Sequence, residues 1–348
     1  MARAAWPVLT RRELNRALLA RQLLLQRVDL ALPAALEHVA GIQAQYAPAM
    51  YVALWARLAT FERDDLTRAL ERRSVVQGTL MRVTIHLVSA ADYWPFAVAV
   101  REARRDWWRR VTRDQVGDAR MRAVADRCRE RLADGPLHRR ELEALAGTKE
   151  VFNGLGVWLD LVRVPPSGTW ERRRADLYAA AEDWLGPPGV DEEAAVEHLV
   201  RRYLRGFGPA ARRDVASWAG LSPTVVRAAA ERMELRRFRD EEGRELVDLP
   251  DAPLPPGDTP APARLLPVWE TGLLAHARRA GLLPEHYPER VFSSKNPHSV
   301  STFAVDGAVA GAWTYADGDV RLEPYEDVDP AALAELRTEA KALAAFHA

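Results

Sequence analysis

Three times along this chain, segments of helical patterning give way to short β-prone segments, and such a chain buries its apolar stripes by stacking small helical units. In the first copy, Thr10 followed by Glu13 forms a capping-box pattern that predicts a helix running to about Arg27. Pro33 opens a second helix and Gly41 ends its regular part; a third is expected from Pro48 to Leu58, and Asp64 begins a fourth. Leu80 to Val88 alternates and is β-branched, so it reads as a strand. In the second copy, helices over 118–133, 138–146 and near 150–159 precede Leu161–Val164 and Trp170–Arg173, which flank Pro165-Pro166-Ser167-Gly168 as a hairpin. The third copy starts at Glu192 and continues through helices over 209–218 and 222–232. It ends in Met233–Phe238, a turn at Glu241-Glu242-Gly243, and Glu245–Leu249. Beyond a proline-rich linker from Pro250 to Pro262, four β-prone runs follow, with Asp306-Gly307 as a hairpin turn and a closing helix over 330–346.

Helices followed by a two-stranded wing make up the winged-helix plan, a variant of helix-turn-helix. The expected fold class is therefore α+β, mainly α. Three tandem winged-helix units over 1–113, 114–190 and 191–250 would be followed, over 251–348, by a small C-terminal β-barrel and terminal helix. The 348 residues contain no apolar run near the ~20 residues of a membrane span and open on no signal-peptide pattern. Cys128 is the single cysteine, which excludes a disulfide framework within the chain and fits a reducing cytoplasm.

A net charge of zero conceals a gradient. Residues 1–150 carry 26 Lys/Arg against 18 Asp/Glu, whereas residues 241–348 carry 9 against 18. The basic half suits a polyanionic partner, although a solvated surface explains such asymmetry as well. Lys149, Lys295 and Lys341 are the only lysines, so no lysine in the first 148 residues can supply a Schiff-base amine.

Gln43 and Gln45 would face different ways on a helix but the same way on extended chain. Pattern alone favours the bland reading, two polar residues on a helix surface. Gly41 upstream and Pro48 downstream favour an interruption, in which two neutral amides converge and can hold a water. Arg82, Thr84 and His86 alternate on the expected strand and could present one polar face to DNA. Alternatively, His86 satisfies a buried backbone group and Arg82 pairs with a carboxylate. Lys295, Asn296 and His298 sit in a segment that reads as a phosphate-contacting hairpin tip or as an ordinary exposed loop. Trp94, Trp107, Trp108, Trp158 and Trp218 fall within helical patterns and read as core. The arginine pairs at 104–105 and 109–110 either line a channel or are solvated. His276 and Glu270 lack a metal-ligand spacing, and neither metal nor cofactor is expected.

Gly-Ile-Gln-Ala-Gln at 41–45 resembles the Gln-hydrophobic-Gln motif of the AlkZ-like DNA glycosylases, and Gln45 is unlike the Asp of the related YcaQ-like branch. The resemblance continues through residues 80–88, where the family usually has Arg-Gly-Thr-x-His and this chain has Val83 for the glycine. It extends to Arg205-Gly206-Phe207-Gly208-Pro209-Ala210 with Asp214 and Trp218. It ends with Leu265-Leu266-Pro267, His276, Lys295-Asn296 and Val305-Asp306-Gly307. Glu270, Thr271 and Gly272 stand where the family often has Asp, Asn and Leu.

The resemblance implies a monomeric, cytoplasmic, monofunctional glycosylase that releases alkylated bases, N7-alkylguanine above all, from double-stranded DNA. Gln43 and Gln45 would be its catalytic residues, Arg82, Thr84, His86, Lys295, Asn296 and His298 its DNA contacts. Family members in antibiotic producers can serve self-resistance. The alternative is a non-catalytic winged-helix DNA-binding protein or transcription regulator.

Overall fold

The computed structural model describes residues 6–113, 115–276, 281–292 and 299–348. Strand β1 (Val8–Leu9) leads into helix α1 (Arg11–Arg21). Thr10 caps it: the Thr10 hydroxyl accepts from the Glu13 amide and the Glu13 carboxylate accepts from the Thr10 amide at 2.7 Å. The helix ends at Arg21, short of the expected Arg27, because Leu23 turns left-handed (φ 57°) and the buried Gln22 amide donates to the Gly206 carbonyl. Helix α2 (Leu32–Val39) ends in left-handed Ala40 and Gly41, and β2 (Ile42–Gln43), α3 (Ala47–Trp55) and α4 (Arg63–Glu71) follow.

The strand expected over 80–88 is two strands. β3 (Val75–Thr79) and β4 (Ile85–Ser89) form an antiparallel hairpin about a tight turn at Met81–Val83, and Ser89 then caps the long α5 (Ala90–Thr112). Apolar alternation persists on both sides of the turn, so the sequence pattern does not reveal it.

The next group comprises α6 (Asp118–Leu132), β5 (Leu137–His138), α7 (Arg139–Ala146), α8 (Lys149–Trp158), β6 (Leu161–Arg163), β7 (Leu177–Ala180) and α9 (Ala181–Leu185). Here too a strand is displaced: β6 pairs with β7, not with Trp170–Arg173. Trp170 is instead buried against Tyr51 and Phe346, and the Ser167 hydroxyl accepts from the Asp176 and Leu177 amides to shape the intervening loop. Nor do the hairpins of the first two groups form separate sheets. β3 pairs with β6, giving one six-stranded sheet in the order β2-β4-β3-β6-β7-β5.

Helices α10 (Glu192–Phe207), α11 (Arg212–Ala219) and α12 (Pro223–Glu231) precede the hairpin β8 (Arg236–Asp240) and β9 (Glu245–Asp248), to which β1 adds in parallel. Helices α5 and α10 pack along each other. After the linker come β10 (Arg264–Leu266), the short α13 (Thr271–Leu274) and α14 (Pro288–Val291), then β11 (Thr302–Val305), β12 (Ala308–Ala316), β13 (Asp319–Pro324) and α15 (Pro330–His347). Strands β10 to β13 form an open antiparallel meander where a barrel was expected. Helix α15 packs against both β10 and β13, and Leu336 and Leu343 bury the apolar face with Phe303 and Trp313. A helix therefore covers the surface that ladder closure would otherwise bury. No helix among the described residues is long and apolar enough to cross a membrane.

Candidate active site

The β2–β4 pairing brings the glutamines to the β3–β4 turn. Gly41 (φ 79°) makes the entry possible, since a Cβ there would lie 2.8 Å from Val88 Cγ1. Gln43 pairs with His86 across the ladder, and the Ala44 amide donates to the Ile85 carbonyl at 2.8 Å, so the chain from 42 to 44 is extended. Gln43 is buried at 7% exposure, whereas Gln45 is exposed. Arg82 donates from Nη2 to Gln43 Oε1 at 3.5 Å and from Nη1 to the Trp218 carbonyl at 2.6 Å. Gln45 Oε1 accepts from the Ile85 amide at 2.9 Å. Each amide oxygen keeps a second lone pair. Neither glutamine has a carboxylate or lysine among its hydrogen-bond partners in the described residues.

Arg82, Thr84 and His86 do not share a polar face as the expected strand implied. Arg82 lies in the turn, half-buried, with left-handed backbone (φ 52°), and bonds Trp218 and Gln43 rather than a carboxylate. Thr84 donates its hydroxyl to the Met81 carbonyl at 2.9 Å and closes the same turn. His86 is 1% exposed, with Nδ1 3.0 Å from the Thr84 carbonyl. Burial, with the nearby Arg82 charge, pushes its pKa down to about 3, so His86 is neutral at working pH. Lys295, Asn296 and His298 lie outside the described residues. Glu270 is buried against Arg57, which donates at 2.5 Å, and His276 Nδ1 lies 3.0 Å from the Tyr203 hydroxyl.

Val83, where the resembled family has glycine, adopts φ 58°. A β-branched residue there is strained by about 1–2 kcal/mol. Val83→Gly should leave stability unchanged or raise it by up to about 1 kcal/mol, because relief of strain offsets the lost side-chain burial and added chain entropy. Chemical denaturation would check this, and a loss above about 1 kcal/mol would contradict the strained geometry.

The tryptophans at 94, 108, 158 and 218 are buried, as a core reading expects, while Trp107 is 39% exposed. Three of the four neighbouring arginines are neutralised: Arg104 pairs with Asp160, Arg105 with Glu102, and Arg109 with Asp106 and Asp118, while Arg110 donates to the Asp106 carbonyl. Sequence reasoning missed the 171–174 segment beside the glutamines. Arg173 donates to the Tyr46 hydroxyl at 3.4 Å, immediately after Gln45, and Arg172 has no ion-pair partner among the described residues. The basic run is visible in the sequence, where its pattern reads as a strand.

His38, His86, His276 and His347 all have pKa values lowered chiefly by burial, His347 to about 4. The unfolded chain takes up protons that the folded sites refuse. Stability is therefore complete above about pH 6.5 and falls below it, on the order of 1.4 kcal/mol per pH unit for a site as buried as His86. Calorimetric melting from pH 8 to pH 5 should show a falling Tm; a rising Tm would refute the assignment.

A family profile for AlkZ-like DNA glycosylases matches residues 36–346, a span that includes both glutamines. Among solved structures, the Streptomyces sahachiroi DNA glycosylase AlkZ aligns with a TM-score of 0.80 at 20% identity, over 98% of this chain and 97% of that chain. At that identity the likeness establishes a shared fold. A search of curated proteins returned no match. With the family profile matched along most of its length and the whole architecture shared, the chain belongs to the AlkZ-like DNA glycosylase family.

Proposed function

We propose that the protein hydrolyses the N-glycosidic bond of N7-alkylated guanine in duplex DNA, with Gln43 and Gln45 positioning the attacking water. The observation that carries this reading is the pair of neutral amides on non-helical chain, without a carboxylate or lysine bonded to either among the described residues. An N7-alkylguanine already carries positive charge. When its C1′–N9 bond breaks, the electron pair returns to the ring and the base leaves neutral without being protonated. Water then bonds to C1′ and gives up a proton to solvent. Amides can orient that water but are poor bases, so selectivity for labile, cationic lesions follows.

The product is an abasic site, and the absence of lysine before Lys149 favours hydrolysis without strand cleavage. We read the chain as a cytoplasmic monomer, with winged-helix units over 1–113, 114–190 and 191–250 and a C-terminal domain over 251–348. The same chemistry would suit self-resistance to DNA-alkylating natural products.

The test is release of free base from duplexes bearing N7-methylguanine or a bulky N7 adduct, with alkali-sensitive sites left behind. Release of neither lesion would sink the proposal, and borohydride trapping of a covalent enzyme–DNA adduct would refute its monofunctional part.

A further inference from the structure

A cavity of ≈ 280 Å³ opens beside Gln45, where the β3–β4 turn meets α8, β6 and β7. Gln45, Val83 and Ile85 form its wall on the glutamine side. Helix α8 presents Phe152, Asn153 and Gly156 to it, Gly156 lying four and three residues after the other two and so on the same helical face.

Glycine is a poor residue for a helix interior and is kept there for packing or for close approach. Gly154 in the same helix has a packing reason, since a Cβ would lie 2.5 Å from Trp108. Gly156 has none: its Cβ would meet nothing within 4 Å. The helix therefore leaves open space on the side facing the cavity.

The other walls are aromatic and cationic. Arg139 lies 5.1 Å from the Phe152 ring centroid, and Arg163 lies 5.2 Å from that of Tyr178. Arg163 Nε is buried without a hydrogen-bond acceptor among the described residues. Glu143 offsets the charge of Arg139, but no described carboxylate lines the cavity. A cationic alkylguanine ring is thus unsuited to it, while a neutral planar group with acceptor oxygens can stack on the rings and bond to Arg163 and Asn153.

We infer that this cavity is a specificity subsite for the substituent on the alkylated base, taking neutral, planar, acceptor-bearing groups. The base itself would stay near the duplex, with its substituent lodged next to Gln45. The inference rests on the N7-adduct reading above, and binding separates the two.

The experiment compares wild type, Gly156→Ala and Gly156→Phe on duplexes carrying N7-methylguanine or an N7-guanine adduct with a fused-ring ketone. Wild type should bind the ring-bearing duplex about 10- to 100-fold more tightly than the methylated one. Gly156→Phe should abolish that preference while excising N7-methylguanine at the wild-type rate. Gly156→Ala, which relieves a poor helix residue, should melt no lower than wild type and keep most of the preference. If the Phe variant melts below wild type, Gly156→Leu carries the same test. The inference is overturned if wild type shows no preference, if the filled variants keep it, or if they lose both lesions equally. A preference that disappears on filling, with no base released by any protein, supports the subsite and defeats the glycosylase chemistry proposed above.

Discussion

Gln45→Ala should lower single-turnover release of N7-methylguanine by about 100-fold, with duplex affinity changed far less. Misplacing a reacting group by roughly 1 Å costs about 10² in rate. Gln45 is exposed, and its described side-chain bond is to the Ile85 amide, so the variant forfeits about 0.5–1.5 kcal/mol of stability at most. Gln43→Ala should reduce the rate similarly but also frees the half-buried Arg82, so its melting temperature must be read alongside. Because both glutamines would act on one water, the double variant should be little worse than either single one. Full activity in the double variant would remove the water-positioning role.

Asp248→Ala should destabilise the protein by about 3–5 kcal/mol, the range for leaving a buried charge without its partner. Asp248 accepts from Arg21 at 2.6 and 2.9 Å and from Arg236 at 2.8 Å, and both Asp248 and Arg21 are at 0% exposure. Arg21 also donates to the Leu204 and Pro253 carbonyls, so one guanidinium ties α1 to α10, β9 and the linker. Against a total stability of about 5–15 kcal/mol, such a loss should lower Tm by roughly 5 °C. Replacing both buried partners, as in Arg21→Met with Asp248→Leu, should recover part of it, because the fully buried Arg21 charge goes with its carboxylate and only the partly exposed Arg236, which keeps the Ala252 carbonyl, loses its partner. A single-variant loss below 1 kcal/mol would show that the pair contributes little. Arg57 and Glu270 form a second such pair, also buried.

Most helices were legible from sequence because their signals are local. The Thr10–Glu13 box marks a true start, and the helices expected over 118–133 and 138–146 occur within about a residue of their predicted ends. Strands fared worse, because alternation reports which face is buried but not where the chain turns. Leu80–Val88 kept its period across a turn whose left-handed residues are Arg82 and Val83, types that do not advertise such a conformation. At Trp170–Arg173, an aromatic anchor buried against Tyr51 and Phe346 has the same local pattern as a strand residue. Similarly, the C-terminal strands were identifiable singly, whereas closure depends on which edges meet, and α15 covers the open sheet instead.

At the glutamines, the division follows the range of the forces. By itself the sequence set Gln43 and Gln45 two apart between Gly41 and Pro48, which favour a break in the helix, while the pattern alone favoured a helix surface. Only the tertiary structure decided what each amide meets. Gln43 receives Arg82, itself held by the Trp218 carbonyl 136 residues away, and Gln45 receives the Ile85 amide across the β2–β4 pairing. Partners so distant in sequence are selected by packing, and no local pattern encodes them.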